Sequence, residues 1–143
     1  MGISFRWGII VIPSFIEHYT EMEPLNVRKI IEIHHDVVEE FGGVDGILAE
    51  STLEYLVFKA ERISDPFKKA ALALYYIAVK HPFIDGNKRT AFLAAENILS
   101  KAGFFIQATD DEIVSFMLEV ASYQITEFKI EEWIKNHVVR LEP

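Results

Sequence analysis

No cysteine occurs in the chain, which excludes a disulfide framework, a thiolate metal cluster and a cysteine nucleophile. Any zinc site would have to be built from histidines and carboxylates alone, and the lack of cysteine favours a cytoplasmic setting. Basic charge is also scarce. With 14 Lys and Arg against 22 Asp and Glu, the formal net charge is −8, which argues against a general nucleic-acid binder, whose affinity rests on a net basic surface. A local basic site remains compatible with that balance. Long apolar runs are missing too. Ile9-Ile10-Val11-Ile12 is cut by Pro13 and falls far short of the about 20 residues that a membrane-spanning helix needs, so no membrane partner is expected. Arg6 is the only early basic residue and no small-residue cleavage pattern follows, so a signal peptide is not indicated; a short edge strand within 8–16 is the expectation. There is no Walker loop, no Gly-x-Gly-x-x-Gly, no repeat and no low-complexity tract.

What is present is apolar residues in quantity and in helical order. Half of the 143 residues are hydrophobic, enough for one folded domain with a real core, taken as 1–143 with 1–23 as an N-terminal extension of unclear structure. Over 24–41, Leu25, Val27, Ile30, Ile31, Ile33, Val37, Val38 and Phe41 recur at helical spacing behind Pro24. Gly42 and Gly43 end that helix, and Asp45-Gly46 between Val44 and Ile47 reads as a very short hairpin or an ordinary turn. Ser51 or Thr52 starts a helix to about Arg62, with Leu53, Leu56, Val57 and Ala60 inward. Asp65 caps another over 66–80, with Pro66 at its first position and a middle that is apolar all round. A further buried helix runs from Asn87 to about Ala102, Gly103 closes it, and Phe104-Phe105-Ile106 is extended. Thr109 to Glu112 forms a capping box for a helix to about Tyr123, and a last helix from about Lys129 presents Ile130, Trp133, Ile134 and His137. The expected fold class is therefore all-α, a helical bundle with minor β-hairpin and strand content.

The run His81-Pro82-Phe83-Ile84-Asp85-Gly86-Asn87-Lys88-Arg89-Thr90-Ala91-Phe92 joins the two most apolar helices. A turn of Asp85, Gly86 and Asn87 opens a helix whose first amides have no intrahelical partner and favour an anion such as phosphate. Lys88 and Arg89 add formal positive charge there, Arg89 with a planar fork suited to two-pronged contact. His81 closes the preceding helix, where a neutral imidazole can take a proton from a hydroxyl; a histidine at such a place, taken by itself, is more often a helix-end residue that meets water. Asp85 is either a plain N-cap or a hard oxygen ligand for Mg²⁺, and the Asn87 amide can donate to phosphate oxygens. Phe83 is expected to anchor the loop in the core. His34 and His35 are consecutive on a helix, about 100 degrees apart, so they do not converge on one metal, and solvent-facing or cap-adjacent roles are expected of them.

These twelve residues resemble the signature of the Fic/Doc family, most closely its Doc-like, death-on-curing branch. Lys88 stands where AMP-transferring Fic enzymes usually have glycine, and Phe92 where they usually have a second arginine. The likeness is densest over 81–92, weaker from Ile30 through Gly42 to Trp133, and does not reach residues before Pro24. The resemblance implies a Fic/Doc-like helical bundle and a transferase acting on a protein hydroxyl, with His81 as base. ATP or another nucleoside triphosphate would be the donor, held with Mg²⁺ at Asp85 and phosphates at Gly86, Asn87, Lys88 and Arg89. It also implies a flap at Gly43, Val44, Asp45, Gly46 and Ile47 that aligns the target by strand-like pairing. The Doc-like branch implies phosphoryl transfer, with elongation factor Tu the family's known type of target and an antitoxin protein as inhibitory partner; the Fic branch implies AMP transfer. A catalytically silent helical module that binds a nucleotide or partner is the alternative from another class. The self-inhibitory Ser/Thr-x-x-x-Glu-Gly/Asn pattern of many Fic enzymes is not found in this sequence.

Overall fold

The protein is described here by a computed structural model, which covers residues 4–6, 9–11, 24–122 and 124–141. Near the start, β1 (Ser4–Arg6) pairs antiparallel with β2 (Ile9–Val11). The strand expected within 8–16 is thus present at Ile9–Val11, and the other residues of that stretch lie outside the described ones. Among the described residues no helix is long and apolar enough to cross a membrane.

Helix α1 (Val27–Phe41) begins later than Pro24, because the Asn26 side chain is the stronger stop: its oxygen accepts the Lys29 N–H at 2.8 Å. Gly42, at φ 86°, closes it and donates its N–H to the Val38 carbonyl at 2.8 Å. Helix α2 (Glu50–Ala60) buries Leu53, Leu56, Val57 and Ala60 as the periodicity predicts. Its start differs from expectation. Neither Ser51 nor Thr52 caps it; Ala49 holds the cap position without a side-chain bond, and the Leu48 and Ala49 N–H groups instead donate to the Pro82 carbonyl at 2.7 and 3.1 Å. The entry to α2 is therefore tied to the loop that carries the signature.

Helices α3 (Pro66–Lys80) and α4 (Asn87–Lys101) form the centre and pack on each other more extensively than any other pair. Asp65 caps α3 by accepting from Phe67 N–H at 2.8 Å, with Pro66 in the first turn. Ala70, Ala71, Ala73 and Ala78 of α3 and Ala91, Ala94 and Ala95 of α4 are all buried, and small side chains let two helices approach closely. Helix α1 packs on α4, and α2 on α3. The framework is all-α, as expected.

In the C-terminal part the extended piece expected at Phe104–Ile106 is present, and it gains a partner strand that the sequence did not signal. After Gly103, β3 (Phe104–Ile106) pairs antiparallel with β4 (Val138–Arg140), Phe105 opposite Val139. Between them, α5 (Asp110–Ala121) opens with the expected reciprocal cap: Thr109 N–H donates to Glu112 Oε1 at 2.8 Å, and Glu112 N–H to Thr109 Oγ1 at 3.1 Å. Its last residue is Ala121, and Tyr123 lies outside the described residues. Helix α6 (Glu127–Lys135) starts earlier than Lys129, because Thr126 caps it by accepting from Lys129 N–H at 3.2 Å. It also ends before His137, so that residue is past the helix, with its Nδ1 donating to the Trp133 carbonyl at 2.7 Å.

Candidate active site

The loop from His81 to Gly86 connects the two central helices, so its ends are fixed by the most densely packed part of the molecule. His81 ends α3 in the left-handed region, at φ 51° and ψ 61°. Among the described residues it is the only non-glycine with positive φ, in a conformation that costs an L-residue about 1–2 kcal/mol. Phe83 is 0 % exposed and anchors the loop as expected.

Of the two readings of 43–47, a very short hairpin or an ordinary turn, the segment does not form the hairpin. Ile47 pairs instead with Phe83 in an isolated antiparallel bridge, flanked by Ile84 N–H to Gly46 carbonyl at 3.0 Å and Leu48 N–H to Pro82 carbonyl at 2.7 Å. The physical reason is that the segment's backbone groups find partners across the signature loop. Those flanking bonds make Ile47 and Phe83 a non-hydrogen-bonded pair, so Phe83's own N–H and carbonyl point away from the flap. Asn87 meets them on the other side: its Oδ1 accepts the Phe83 N–H at 3.0 Å and its Nδ2 donates to the Phe83 carbonyl at 2.9 Å. Asn87 is 7 % exposed. Its amide acts as a stand-in for a further strand, so the side chain expected to donate to phosphate is engaged in holding the loop.

Asp85 is exposed, and its Oδ2 accepts the Val44 N–H at 2.8 Å. Among the described residues its other carboxylate oxygen accepts no hydrogen bond, and no group of three or more His, Cys, Asp or Glu is placed to hold a metal ion. One open carboxylate oxygen fits Mg²⁺ of the kind that arrives with a triphosphate and keeps water and phosphate oxygens as most of its ligands. It would not fit an ion held by protein alone.

Gly86, at φ 80°, occupies the N-cap of α4 without a side-chain cap. The first amides of α4 therefore have no intrahelical acceptor and no competing side chain from the cap residue. Lys88 is partly exposed and has no acidic partner among the described residues. Arg89 lies with its guanidinium carbon 4.4 Å from the centre of the Phe41 ring, and partial burial pulls its pKa below the ordinary value. Phe92 is 0 % exposed. The position that resembles the second arginine of Fic enzymes is thus a core position here.

His34 departs most from expectation. Only His35 faces solvent; His34 is 1 % exposed. The His34 ring stacks on Phe83 with centroids 3.7 Å apart, its Nε2 lies 2.7 Å from the Asp85 carbonyl, and its Nδ1 lies 3.6 Å from Asp45 Oδ1. His35 Nδ1 is 3.3 Å from the other Asp45 oxygen. The signal was available in the sequence: Ile30, His34, Val37 and Phe41 fall on one stripe of α1, and a histidine on the apolar stripe is a buried one that needs partners.

The arrangement defines a helical protein whose central helix offers a cation-flanked, amide-rich end beside a histidine-terminated neighbour, the class of site that handles phosphate groups. The chain belongs to the Fic/DOC family, whose model matches residues 24–99. It is similar to protein adenylyltransferase fic-1 of Caenorhabditis elegans, with 41 % identity over 57 % of this chain and 13 % of that protein. It is also similar to protein adenylyltransferase Fic of Nematostella vectensis, with 45 % identity over 36 % of this chain and 12 % of that protein. The chain thus spans a small part of the length of these relatives.

Proposed function

We propose that this protein transfers a phosphate-bearing group from a nucleoside triphosphate to a hydroxyl of a protein substrate. His81 is the base, the first amides of α4 with Gly86, Lys88 and Arg89 form the phosphate site, and Asp85 is the ligand for a triphosphate-bound Mg²⁺. The observation that carries this reading is the backbone at His81: a helix-ending left-handed position that glycine fills at least cost is held by the one side chain in the signature able to accept a proton near neutral pH. Strain retained at such a point is a mark of function. Magnesium, when bound with the triphosphate, would neutralise charge that develops on the phosphate oxygens.

The phosphate that moves is proposed to be the γ-phosphate, as in the Doc-like branch. The support is the cation pattern: Lys88 adds a charge next to Arg89, while Phe92, turned wholly into the core, supplies none one turn further on. In this step the acceptor hydroxyl oxygen bonds to the γ-phosphorus as His81 takes the hydroxyl proton. The bond from the γ-phosphorus to its bridging oxygen breaks, and the nucleoside diphosphate leaves with that electron pair. A second reading, AMP transfer, is favoured by the relatives, which are named protein adenylyltransferases; attack then falls on the α-phosphorus and pyrophosphate leaves.

The acceptor surface is proposed to include the segment from Gly43 to Ile47, where Val44, Ile47 and the neighbouring Leu48 and Ile84 are exposed. The family resemblance makes elongation factor Tu the first acceptor to try and an antitoxin protein the expected restraint on activity. Parallel labelling with ATP carrying the radiolabel at the α or the γ position, with elongation factor Tu and with whole lysate, tests the proposal. Protein label from γ alone is the expected result. Label from α supports AMP transfer, and label from neither position supports a silent binding module.

A further inference from the structure

Outside the residues assigned above, His34 is a buried polar side chain that ties α1 to the signature loop. It reaches from α1 to the signature loop through the Asp85 carbonyl, at 2.7 Å. The loop reaches the flap through Asp85 Oδ2 and the Val44 N–H, at 2.8 Å. The flap returns to α1 through Asp45, whose Oδ2 is hydrogen-bonded to His35 Nδ1 at 3.3 Å, while its Oδ1 lies 3.6 Å from His34 Nδ1, beyond hydrogen-bond reach. A carbonyl can only accept, so the His34 Nε2 carries the proton and donates. The ring has little room to leave this position: it is stacked on Phe83 at 7°, and a Cβ on Gly86 would come within 3.5 Å of its Cδ2.

The Asp85–Gly86 peptide is the one that such a donor needs to hold. It precedes a glycine, whose backbone freedom makes rotation of that peptide plane inexpensive, and it lies at the mouth of the proposed phosphate site. In a trans peptide the C=O and N–H point in opposite directions. With the carbonyl drawn toward α1, the Gly86 N–H faces away from α1, and among the described residues it donates to no protein acceptor. Rotated the other way, the same plane would present a carbonyl oxygen to an incoming anion.

We infer that His34 is a positioning residue: it fixes the Asp85–Gly86 peptide so that the Gly86 N–H is turned toward the phosphate, and through the Asp85 carboxylate, which holds the Val44 N–H, it couples that setting to the flap. The inference rests on the proposed transfer activity for its kinetic readout and on backbone dynamics for an independent one. His34→Phe keeps the ring on Phe83 and removes both nitrogens; His34→Gln removes the ring and keeps an amide able to donate to the Asp85 carbonyl. Label transfer, triphosphate affinity, thermal melting and hydrogen exchange at the Val44 and Ile84 amides are measured for both variants and the wild type.

The expected result is that His34→Phe lowers kcat by roughly 10- to 100-fold and speeds Val44 exchange, while His34→Gln recovers most of the rate and the protection. A folded His34→Phe with wild-type kcat and Val44 exchange overturns the inference, and so does a His34→Gln that is as impaired as His34→Phe. If His34→Phe does not fold, His34→Gln decides alone: protection and rate near wild type support the inference, and loss of both overturns it. Should the wild type transfer no label, the activity proposal fails by itself. Val44 exchange and triphosphate affinity then decide the inference: faster exchange and weaker binding in His34→Phe support it, and values equal to wild type overturn it.

Discussion

Replacing Asn87 with alanine leaves the buried Phe83 N–H and carbonyl without the amide that now satisfies both, at 3.0 and 2.9 Å. They cannot turn to the flap, because the bridge between Ile47 and Phe83 directs them away from it. A buried backbone group left without a partner costs about 1–3 kcal/mol, so the pair costs about 2–6 kcal/mol. That is a large share of the roughly 5–15 kcal/mol by which a domain is stable. Urea titration of the wild type and Asn87→Ala measures the loss directly. Asn87→Asp sharpens the test. At neutral pH its carboxylate keeps the acceptor for Phe83 N–H but sets a charge against the Phe83 carbonyl, so the protonated form, which can donate to that carbonyl, is favoured in the folded state. A folded pKa raised in this way means that stability is fully present below the unfolded carboxyl value and is lost as pH rises through the folded one. Asn87→Asp should therefore gain on the wild type as pH falls. An Asn87→Ala variant within about 0.5 kcal/mol of the wild type but with weaker triphosphate binding would refute the reasoning and return Asn87 to the phosphate.

Phe92→Arg, which restores the residue of the AMP-transferring pattern, should destabilise the protein by at least about 3 kcal/mol, since it gives up a buried phenylalanine and buries a charge; a well-folded variant in a melting assay would show that the position can open to the site. Arg89→Ala should weaken triphosphate binding, measured calorimetrically, more than Lys88→Ala, because the fork makes paired contacts that a point charge does not; equal losses would contradict this. The Thr109 N–H holds the Glu112 carboxyl below its ordinary pKa, so the stability from that bond is complete above the unfolded glutamate value and is lost as pH falls through the depressed folded one. Glu112→Gln, which keeps an acceptor but does not titrate, should show a shallower loss in acid by urea titration, and identical slopes would remove the capping box from the pH response.

The helical framework was legible because its signals are local. Asp65 with Pro66 marks the start of α3, Thr109 with Glu112 marks that of α5, and Leu53, Leu56, Val57 and Ala60 mark the inward face of α2 without reference to anything distant. What escaped depends on partners far away in the chain. Val138–Arg140 is a strand because Phe104–Ile106 lies beside it, and the choice between hairpin and turn at 43–47 depends on Pro82 and Ile84, to which the backbone of Gly46 and Leu48 is bonded. In the site, residue types at the helix start were readable from the signature, whereas their use was not. That Asn87 holds the Phe83 backbone is visible only once the orientation of Phe83 is known, and His34 looks like a surface histidine until the apolar stripe around it is taken as binding on the polar residue too.

The most direct test replaces His81 in two ways and follows fold and chemistry separately. His81→Gly relieves a left-handed residue, so the folded protein should be as stable as the wild type or more so, by up to about 1 kcal/mol; His81→Ala keeps the strain. In Mg-ATP labelling of one lysate, wild-type protein should label an acceptor and both variants should not, while all three bind triphosphate with similar affinity. Label transfer at the wild-type rate by either variant would contradict the assignment of His81 as the base.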